Sequence, residues 1–227
     1  MKTDPDWRKS ERRRLIAERE AVPSSQRAAW AQRIDAHLQR GFPQLTQACV
    51  AFCWPYRGEY DARNLVHQLH QAGARIALPV VVASGSPLLF RQWTPDTPLL
   101  SGPLDIPYPG AQSPQLQPSH VLLPVVAIDA AGYRLGYGGG YFDRTLAALA
   151  ATGLATGLAA GLATNSATEL ASPTSSKSAP LVIATGYELC RIPSIAPQSH
   201  DIPMDWLVTE RGLYRREAGR LVFQDLP

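Results

Sequence analysis

The chain has 227 residues, a hydrophobic fraction of 45% and a formal net charge of +3, values that predict one globular domain over residues 1–227. So mild a positive charge does not require a nucleic-acid partner. The odd number of cysteines, three, argues against a disulfide framework, and the charged residues 1–14 lack the apolar core of an export signal, so we expect a cytoplasmic protein.

The N-terminal half alternates helix and strand patterns. Its predicted elements are, in chain order, helices over residues 7–20 and 27–39, a strand over 48–54, a turn over 56–60, a helix over 61–71 and a strand over 75–82. Ser24 and Asp61 are the residue types that cap helix N-termini, and we assign them that role.

The C-terminal half adds further strands and one distinctive loop. Its predicted elements are strands over residues 88–93, 121–128, 181–184 and 206–209, an irregular loop over 101–118, a helix over 145–151 and a final hairpin through 211–223. The alternation predicts an α/β fold, with a central, mostly parallel sheet covered by helices on both faces and a C-terminal hairpin. Ligands bind beyond the carboxyl ends of such strands, so residues 54–59 and 129–140 are expected to line one cleft.

Residues 151–179 form a compositionally biased segment rich in Ala, Gly, Thr and Ser. Gly153, Gly157 and Gly161 stand four residues apart, a spacing also found where membrane helices pack. The segment has few leucines, so its insertion into a bilayer would be weakly driven. We therefore predict a low-complexity, flexible insert that extends the preceding helix, and no membrane association.

The most informative stretch runs from Arg134 to Arg144 and reads Arg-Leu-Gly-Tyr-Gly-Gly-Gly-Tyr-Phe-Asp-Arg. Its glycine spacing matches neither the dinucleotide fingerprint nor a Walker loop. Glycines between a strand and a helix let backbone amides turn toward an anion, and the arginines suit phosphate. Asp143 offers a hard oxygen for Mg²⁺, although a helix cap or a plain structural turn would explain the same residues.

This stretch resembles the signature of the 5-formyltetrahydrofolate cyclo-ligase family, also called methenyltetrahydrofolate synthetases. Segments in the matching order are Lys9 with Arg13, and residues 54–59, 77–79, 90–93, 102–109, 200–205 and 208–210. The resemblance covers most of the chain outside residues 151–179. It implies an α/β sandwich that uses ATP and Mg²⁺ to close 5-formyltetrahydrofolate to 5,10-methenyltetrahydrofolate, with release of ADP and phosphate.

The resemblance also assigns roles to individual residues. The expected ATP contacts are Lys9, Arg13, Arg134, Leu135, Gly136, Tyr137, Gly138, Gly139, Gly140, Tyr141 and Phe142, with Arg134 and Lys9 acting in catalysis. Trp54, Glu59 and Tyr141 are expected to bind the folate, and Asp143 and Asp201 to hold Mg²⁺. Without the resemblance, Lys9 is equally a residue of a solvated helix face, Glu59 an exposed turn carboxylate and Asp201 a loop residue.

Two other functions remain open at this point. A non-catalytic or divergent folate- or nucleotide-binding protein of the same fold would keep the phosphate site without turnover. An RNA-binding module would use the basic cluster of residues 8–14, but the chain has no recognisable RNA-binding aromatic motif. We therefore expect small-molecule partners, no nucleic acid and a monomer.

Overall fold

The computed structural model describes residues 5–162 and 179–225, with the backbone alone at residues 5 and 152–162. The helices are α1 (Pro5–Ala21), α2 (Ser24–Gly41), α3 (Arg63–Gln71) and α4 (Tyr141–Leu162). In the described parts of the chain, no helix has both the length and the apolar character needed to cross a membrane. Most of the insert predicted to be flexible, residues 163–178, lies outside the described residues.

Each predicted helix is present, with different ends. Helix α2 begins at Ser24 itself, and its N-cap position is Pro23, which makes no side-chain capping bond, so the predicted Ser24 cap is wrong. Asp61 precedes α3 and accepts a hydrogen bond from the Arg63 backbone N–H at 3.1 Å, although the formal cap position is Ala62. Helix α4 starts at Tyr141 rather than at residue 145, so it begins directly after the glycines.

The described residues also contain fourteen short strands. They are β1 (Cys49–Ala51), β2 (Arg75–Val80), β3 (Leu89–Trp93), β4 (Leu99–Ser101), β5 (Pro107–Pro109), β6 (Gln115–Leu116), β7 (His120–Pro124), β8 (Ala127–Asp129), β9 (Arg134–Leu135), β10 (Leu181–Thr185), β11 (Arg191–Ile192), β12 (Trp206–Thr209), β13 (Gly212–Glu217) and β14 (Arg220–Gln224).

Nine of these strands form one sheet in the order β14-β13-β12-β10-β7-β1-β2-β3-β6. The central pairs, from β12 to β2, are parallel, whereas the strands at both edges pair antiparallel. Strands β13 and β14 form the C-terminal hairpin. The predicted mostly parallel sheet with a terminal hairpin is therefore confirmed.

The prediction of a single strand over residues 121–128 is wrong. Strand β7 ends at Pro124, and the chain then crosses into a separate three-stranded sheet of order β11-β8-β9. Proline cannot donate to a strand ladder, which favours a strand end there. The residues on both sides are buried and apolar, so their composition does not show the break, and Pro124 within the run is the signal that does. Residues 101–118, predicted to be irregular, likewise contain β5 and β6.

Helices cover both faces of the large sheet because successive strand residues point to opposite sides. On one face, Val50 of β1 and Leu122 of β7 pack in the cluster that includes Leu38 of α2 and Leu65 of α3. On the other face, the neighbouring strand residues belong to the cluster that includes Leu146 of α4. Helix α1 lies elsewhere, with Leu15 and Ile16 packed beside the small sheet.

Candidate functional site

A cavity of about 720 Å³ opens where β1 and β7 end. Its walls come from α1, the segment after β1, the β4–β5 region, residues 134–143 and residues 198–201. Trp54, Tyr56 and Glu59 line the same cavity as the residues from Arg134 to Gly140, as the sheet topology predicted. The volume is that of a typical small-molecule site.

The glycine loop, defined here as residues 136–140, forms one wall. Gly138 and Gly140 have φ values of +97° and +63°, in the region that glycine adopts without strain. The first residue of α4, Tyr141, follows at once, so the unpaired amides and the positive dipole end of a long helix lie beside the cavity. This geometry suits an anionic group.

Arg134 is fixed at the base of this wall. It is only 6% exposed, and its Nη1 lies 2.8 Å from Asp143 Oδ1 and 3.4 Å from the Ile202 carbonyl oxygen. Asp143 Oδ1 also accepts a hydrogen bond from the Ile202 backbone N–H at 3.3 Å. Arg134 of β9 and Asp143 in the first turn of α4, nine residues apart in the sequence, thus form one ion pair.

Helix α1 contributes two arginines to the cavity, and they differ from the basic residues expected there. Arg8 and Arg12 line the cavity, whereas Lys9 and Arg13 are exposed and do not line it. Arg12 Nε donates to the Gly136 carbonyl oxygen at 2.7 Å, which ties α1 to the glycine loop. Lys9 with Arg13 and Arg8 with Arg12 have the same i, i+4 spacing. The sequence therefore showed that basic residues share a helix face, but not which face points to the cavity.

The two arginines create a strongly cationic wall. Arg8 Nη2 donates to the Ala196 carbonyl oxygen at 2.8 Å and to Asp201 Oδ2 at 2.6 Å. Burial and the positive charge of Arg8 both lower the pKa of Arg12, whereas Asp201 acts in the opposite direction. Among the described residues, the buried Arg8 Nε has no hydrogen-bond partner. Two neighbouring cations and a free donor favour an incoming anion.

The two aspartates predicted to hold Mg²⁺ both line the cavity. Asp143 is paired with Arg134, and Asp201 with Arg8 at 2.6 Å. Burial raises the pKa of Asp201, but the hydrogen bonds from Arg8 and the Gln198 N–H, with the charge of Arg8, hold it below its ordinary value. Within residues 5–162 and 179–225, no group of three or more acidic, His or Cys side chains could hold a metal by itself. The pair fits Mg²⁺ only where phosphate oxygens complete the coordination, which is the usual arrangement for this ion.

Glu59 also lines the cavity and is not the exposed turn carboxylate that its sequence context allowed. It is 7% exposed; its Oε2 accepts the Tyr56 N–H at 3.0 Å, and its Oε1 accepts the Tyr137 hydroxyl at 2.9 Å. Burial raises the pKa of Glu59, whereas the charge of Arg19 and these two hydrogen bonds lower it. A carboxylate offers about four lone-pair positions, so acceptor capacity remains for a ligand.

Aromatic rings surround Glu59 in the cavity. Trp54, Tyr56, Tyr108 and Tyr141 all line it. The Arg63 guanidinium lies 5.1 Å from the Trp54 ring centre, and the Arg144 guanidinium 5.2 Å from that of Tyr141, so both rings are held by cation–π contacts. Phe142 and Leu135, predicted as ATP contacts, line the cavity as well.

The sequence analysis assigned no role in the cavity to three arginines: Arg8, Arg12 and Arg19. Together with the buried Leu15 they stand at positions i, i+4, i+7 and i+11 of α1, which is one face of a helix. That spacing was a usable signal. Arg19 is the most enclosed of the three, at 2% exposed, although arginine is seldom buried.

Comparison with known proteins identifies the family of this chain. The model of the 5-formyltetrahydrofolate cyclo-ligase family matches residues 4–167. The 5-formyltetrahydrofolate cyclo-ligase of Escherichia coli K12 is 33% identical over 133 residues, which cover 56% of this chain and 73% of that protein. The enzyme of the same name from Mycolicibacterium smegmatis is 32% identical over 145 residues, covering 61% of this chain and 74% of that protein.

Two solved structures share the fold. The 5,10-methenyltetrahydrofolate synthetase of Aquifex aeolicus superposes with a TM-score of 0.71 at 21% identity, covering 96% of both chains. The synthetase of Mycoplasma pneumoniae superposes with a TM-score of 0.62 at 15% identity, covering 89% of this chain and 98% of that one. At these identities the likeness concerns the fold.

Proposed function

Because this chain belongs to the 5-formyltetrahydrofolate cyclo-ligase family, we propose that it uses ATP to close 5-formyltetrahydrofolate to 5,10-methenyltetrahydrofolate, releasing ADP and phosphate. One observation carries the proposal: a single cavity joins a cationic, amide-rich wall to a wall of aromatic rings and one buried carboxylate. The first wall suits a triphosphate, and the second suits a flat heterocycle with hydrogen-bond donors.

The reaction needs both substrates in one cavity. The oxygen of the N5-formyl group is a poor leaving group. Transfer of the γ-phosphoryl group to that oxygen breaks the bond to ADP and converts the oxygen into a phosphate ester. The N10 amine of the folate then attacks the formyl carbon, the carbon–oxygen bond breaks, and phosphate leaves with the oxygen. The ring closes as the N10 proton is lost.

Phosphoryl transfer of this kind depends mainly on positioning and charge stabilisation. In this chain, Arg134, Arg12 and Arg8 supply the positive charge, and the amides of the glycine loop supply neutral donors. The ion pair with Asp143 holds the Arg134 guanidinium in one orientation. No nucleophilic side chain is required, because the substrate's own amine attacks.

Mg²⁺ is part of the proposal. Asp143 and Asp201 would hold it together with phosphate oxygens, and the ion would neutralise charge on the triphosphate. Each carboxylate is already oriented by an arginine, Arg134 or Arg8. The arginines and the carboxylates therefore form one mixed-charge patch, in which the cations face phosphate and the anions attract the metal.

Glu59 is proposed to recognise the pterin edge. Its ionised carboxylate accepts hydrogen bonds from ring N–H and amino groups, while Trp54 and Tyr141 pack against the planar rings. Cys53, a further titratable group near it, remains a thiol, because burial and then the charge of Glu59 raise the pKa of Cys53. Lys9 and Arg13 are exposed and do not line the cavity, so the proposal assigns the phosphate contacts of α1 to Arg8 and Arg12.

The remaining proposals concern partners and location. Arg14 in the basic cluster pairs with Glu11 and Glu18, and Arg8 with Asp201, which supports a protein that does not bind nucleic acid through this cluster. Cys49, Cys53 and Cys190 are all free, which supports a reducing, cytoplasmic location. A monomer is proposed as the working state.

The direct test is formation of the methenyl product. Purified protein with ATP, Mg²⁺ and 5-formyltetrahydrofolate should give a rise in methenyl absorbance together with stoichiometric ADP. Omission of ATP is the control and should abolish the signal. Binding of both substrates without any product would instead favour the non-catalytic relative.

Changing Glu59 to Gln should alter the pH profile. Burial places the Glu59 pKa above its ordinary value, and the ionised form is the acceptor, so kcat/KM for the folate should fall as the pH drops through that raised pKa. Glu59→Gln should lose this acid limb. At neutral pH it should lower kcat/KM by about tenfold or more, the size of one hydrogen bond to a charged group.

Glu210→Gln is the matched control for this measurement. Glu210 is also 7% exposed and accepts a backbone N–H, that of Glu188 at 2.9 Å, but it does not line the cavity. Its substitution should keep the acid limb. If Glu59→Gln retains the limb, another group sets the pH dependence, and the role of Glu59 is wrong.

A further inference from the structure

Tyr137 joins the two walls of the cavity. It belongs to the glycine loop, between Gly136 and Gly138, and its ring is 43% exposed. Its hydroxyl accepts a hydrogen bond from Arg19 Nη2 at 2.7 Å and donates one to Glu59 Oε1 at 2.9 Å. The Tyr137 hydroxyl oxygen therefore connects the glycine loop with the Glu59 carboxylate.

Arg19 holds the Tyr137 hydroxyl in place. Its Nε donates to the Arg57 carbonyl oxygen at 3.0 Å and its Nη1 to the Val125 carbonyl oxygen at 3.1 Å, which leaves Nη2 directed at Tyr137. The nearest approach of the Arg19 and Glu59 side chains is 3.9 Å, longer than a hydrogen bond. The charge of the buried cation acts on Glu59 directly, but the hydrogen-bonded link between the two side chains runs through the tyrosine hydroxyl.

The hydroxyl is well suited to both bonds. Burial, followed by the charge of Glu59, raises the pKa of Tyr137, so the proton stays on the oxygen and is available to Glu59. The edge of the Tyr137 ring also meets Tyr56, with ring centres 5.6 Å apart. Tyr56 in turn donates its N–H to Glu59, so the loop tyrosine bonds to the carboxylate itself and also contacts the residue that makes the other bond.

Glycines on either side of Tyr137 give the backbone there more allowed conformations than other residues would. Gly138 has positive φ, and a Cβ placed on Gly136 would meet nothing within 4 Å. An anion bound by the loop amides would restrict this backbone and with it the hydroxyl position. Ordering of the loop would then also order Glu59, so a second ligand at Glu59 would find its acceptor already fixed.

We infer that the Arg19–Tyr137–Glu59 chain makes nucleotide binding and folate binding cooperative. The inference rests on the proposed function, because it takes the glycine loop as the nucleotide wall and Glu59 as the folate wall. Arg19 and Tyr137 are positioning residues in this scheme, and neither needs to touch the reacting atoms. Coupling between two sites is reciprocal, so each ligand should tighten the other by the same factor.

Tyr137→Phe tests the coupling. Calorimetric titration gives the Kd of 5-formyltetrahydrofolate with and without saturating adenylyl imidodiphosphate and Mg²⁺, a nucleotide that cannot transfer its terminal phosphoryl group. In the wild-type protein we expect the analogue to lower this Kd by about tenfold, within the usual range of coupling. In Tyr137→Phe, which keeps the ring and loses the hydroxyl, the two Kd values should become nearly equal.

Tyr214→Phe is the matched control, since the Tyr214 hydroxyl also donates to a carboxylate, Glu188 Oε2 at 3.2 Å, without lining the cavity. It should keep the wild-type coupling. Equal Kd values in the wild-type protein, or undiminished coupling in Tyr137→Phe, would overturn the inference and leave the proposed function standing. Failure of the wild-type protein to form product from ATP and the folate is a separate result, and it would overturn both.

Discussion

Replacement of Arg134 by Ala should lower turnover about 100-fold or more, the usual cost of losing one preorganised donor to developing negative charge. Arg134 is 6% exposed, lines the cavity and is held by Asp143 at 2.8 Å. Its charge is therefore already in place before phosphoryl transfer begins. The measurement is kcat for methenyl formation at saturating ATP and folate.

The same change removes one half of a partly buried ion pair, so loss of folding must be separated from loss of catalysis. Thermal unfolding of Arg134→Ala shows whether the variant is folded at the assay temperature. Arg134→Lys keeps the charge but not the planar fork, and we expect it to recover only part of the turnover. Arg216→Ala is a matched control, because Arg216 also bonds to a nearby carbonyl, that of Ala131 at 2.9 Å, without lining the cavity. Normal turnover in folded Arg134→Ala would remove this residue from the mechanism.

Arg12→Ala should raise the KM for ATP by about 10- to 100-fold, the range for losing one or two hydrogen bonds to a charged group. Arg12 lines the cavity, and its bond to the Gly136 carbonyl oxygen also aligns the glycine loop. Loss of its side chain removes both a phosphate donor and a support of the loop. Initial rates over a range of ATP concentrations, at saturating folate, measure the effect.

Arg13→Ala provides the comparison from the adjacent position of the same helix. Arg13 is exposed and does not line the cavity, so we expect its KM for ATP to stay within about twofold of wild type, as for most surface substitutions. Comparison of Arg12→Ala with Arg13→Ala decides which arginine of α1 contacts the nucleotide. A large effect at Arg13 with none at Arg12 would restore the assignment first made from the sequence.

Much of the candidate site was visible in local patterns. Residues 134–144 predicted a phosphate-bearing ligand, because glycines, arginines and a following helix are adjacent in the chain. The folate-binding roles of Trp54 and Glu59 came from the family resemblance, but the position of residues 54–59 in the cleft was predicted because they follow a strand that ends at the same edge of the sheet as β7. Both inferences need only short-range spacing and the rule that parallel strands end together.

Other features depend on how distant elements meet. The ion pair between Arg8 and Asp201 joins residues 193 positions apart, and no local pattern announces it. The burial of Arg19 likewise requires the Arg57 and Val125 carbonyl groups, which come from two separate segments. The strand end at Pro124 was missed because the residues on both sides of it are buried and apolar, although the proline itself was a signal for it.

The amino-acid sequence by itself determined the chemistry of this protein: an anion-binding glycine loop, its arginine, and an α/β order of elements that brings a carboxylate to the same cleft. The tertiary structure decided which face of α1 points to the cavity. Leu15 and Ile16 pack beside the small sheet, and that contact turns Arg8, Arg12 and Arg19 inward and leaves Lys9 and Arg13 in solvent. Helical spacing specifies which residues share a face, whereas only packing against the rest of the molecule specifies where that face points.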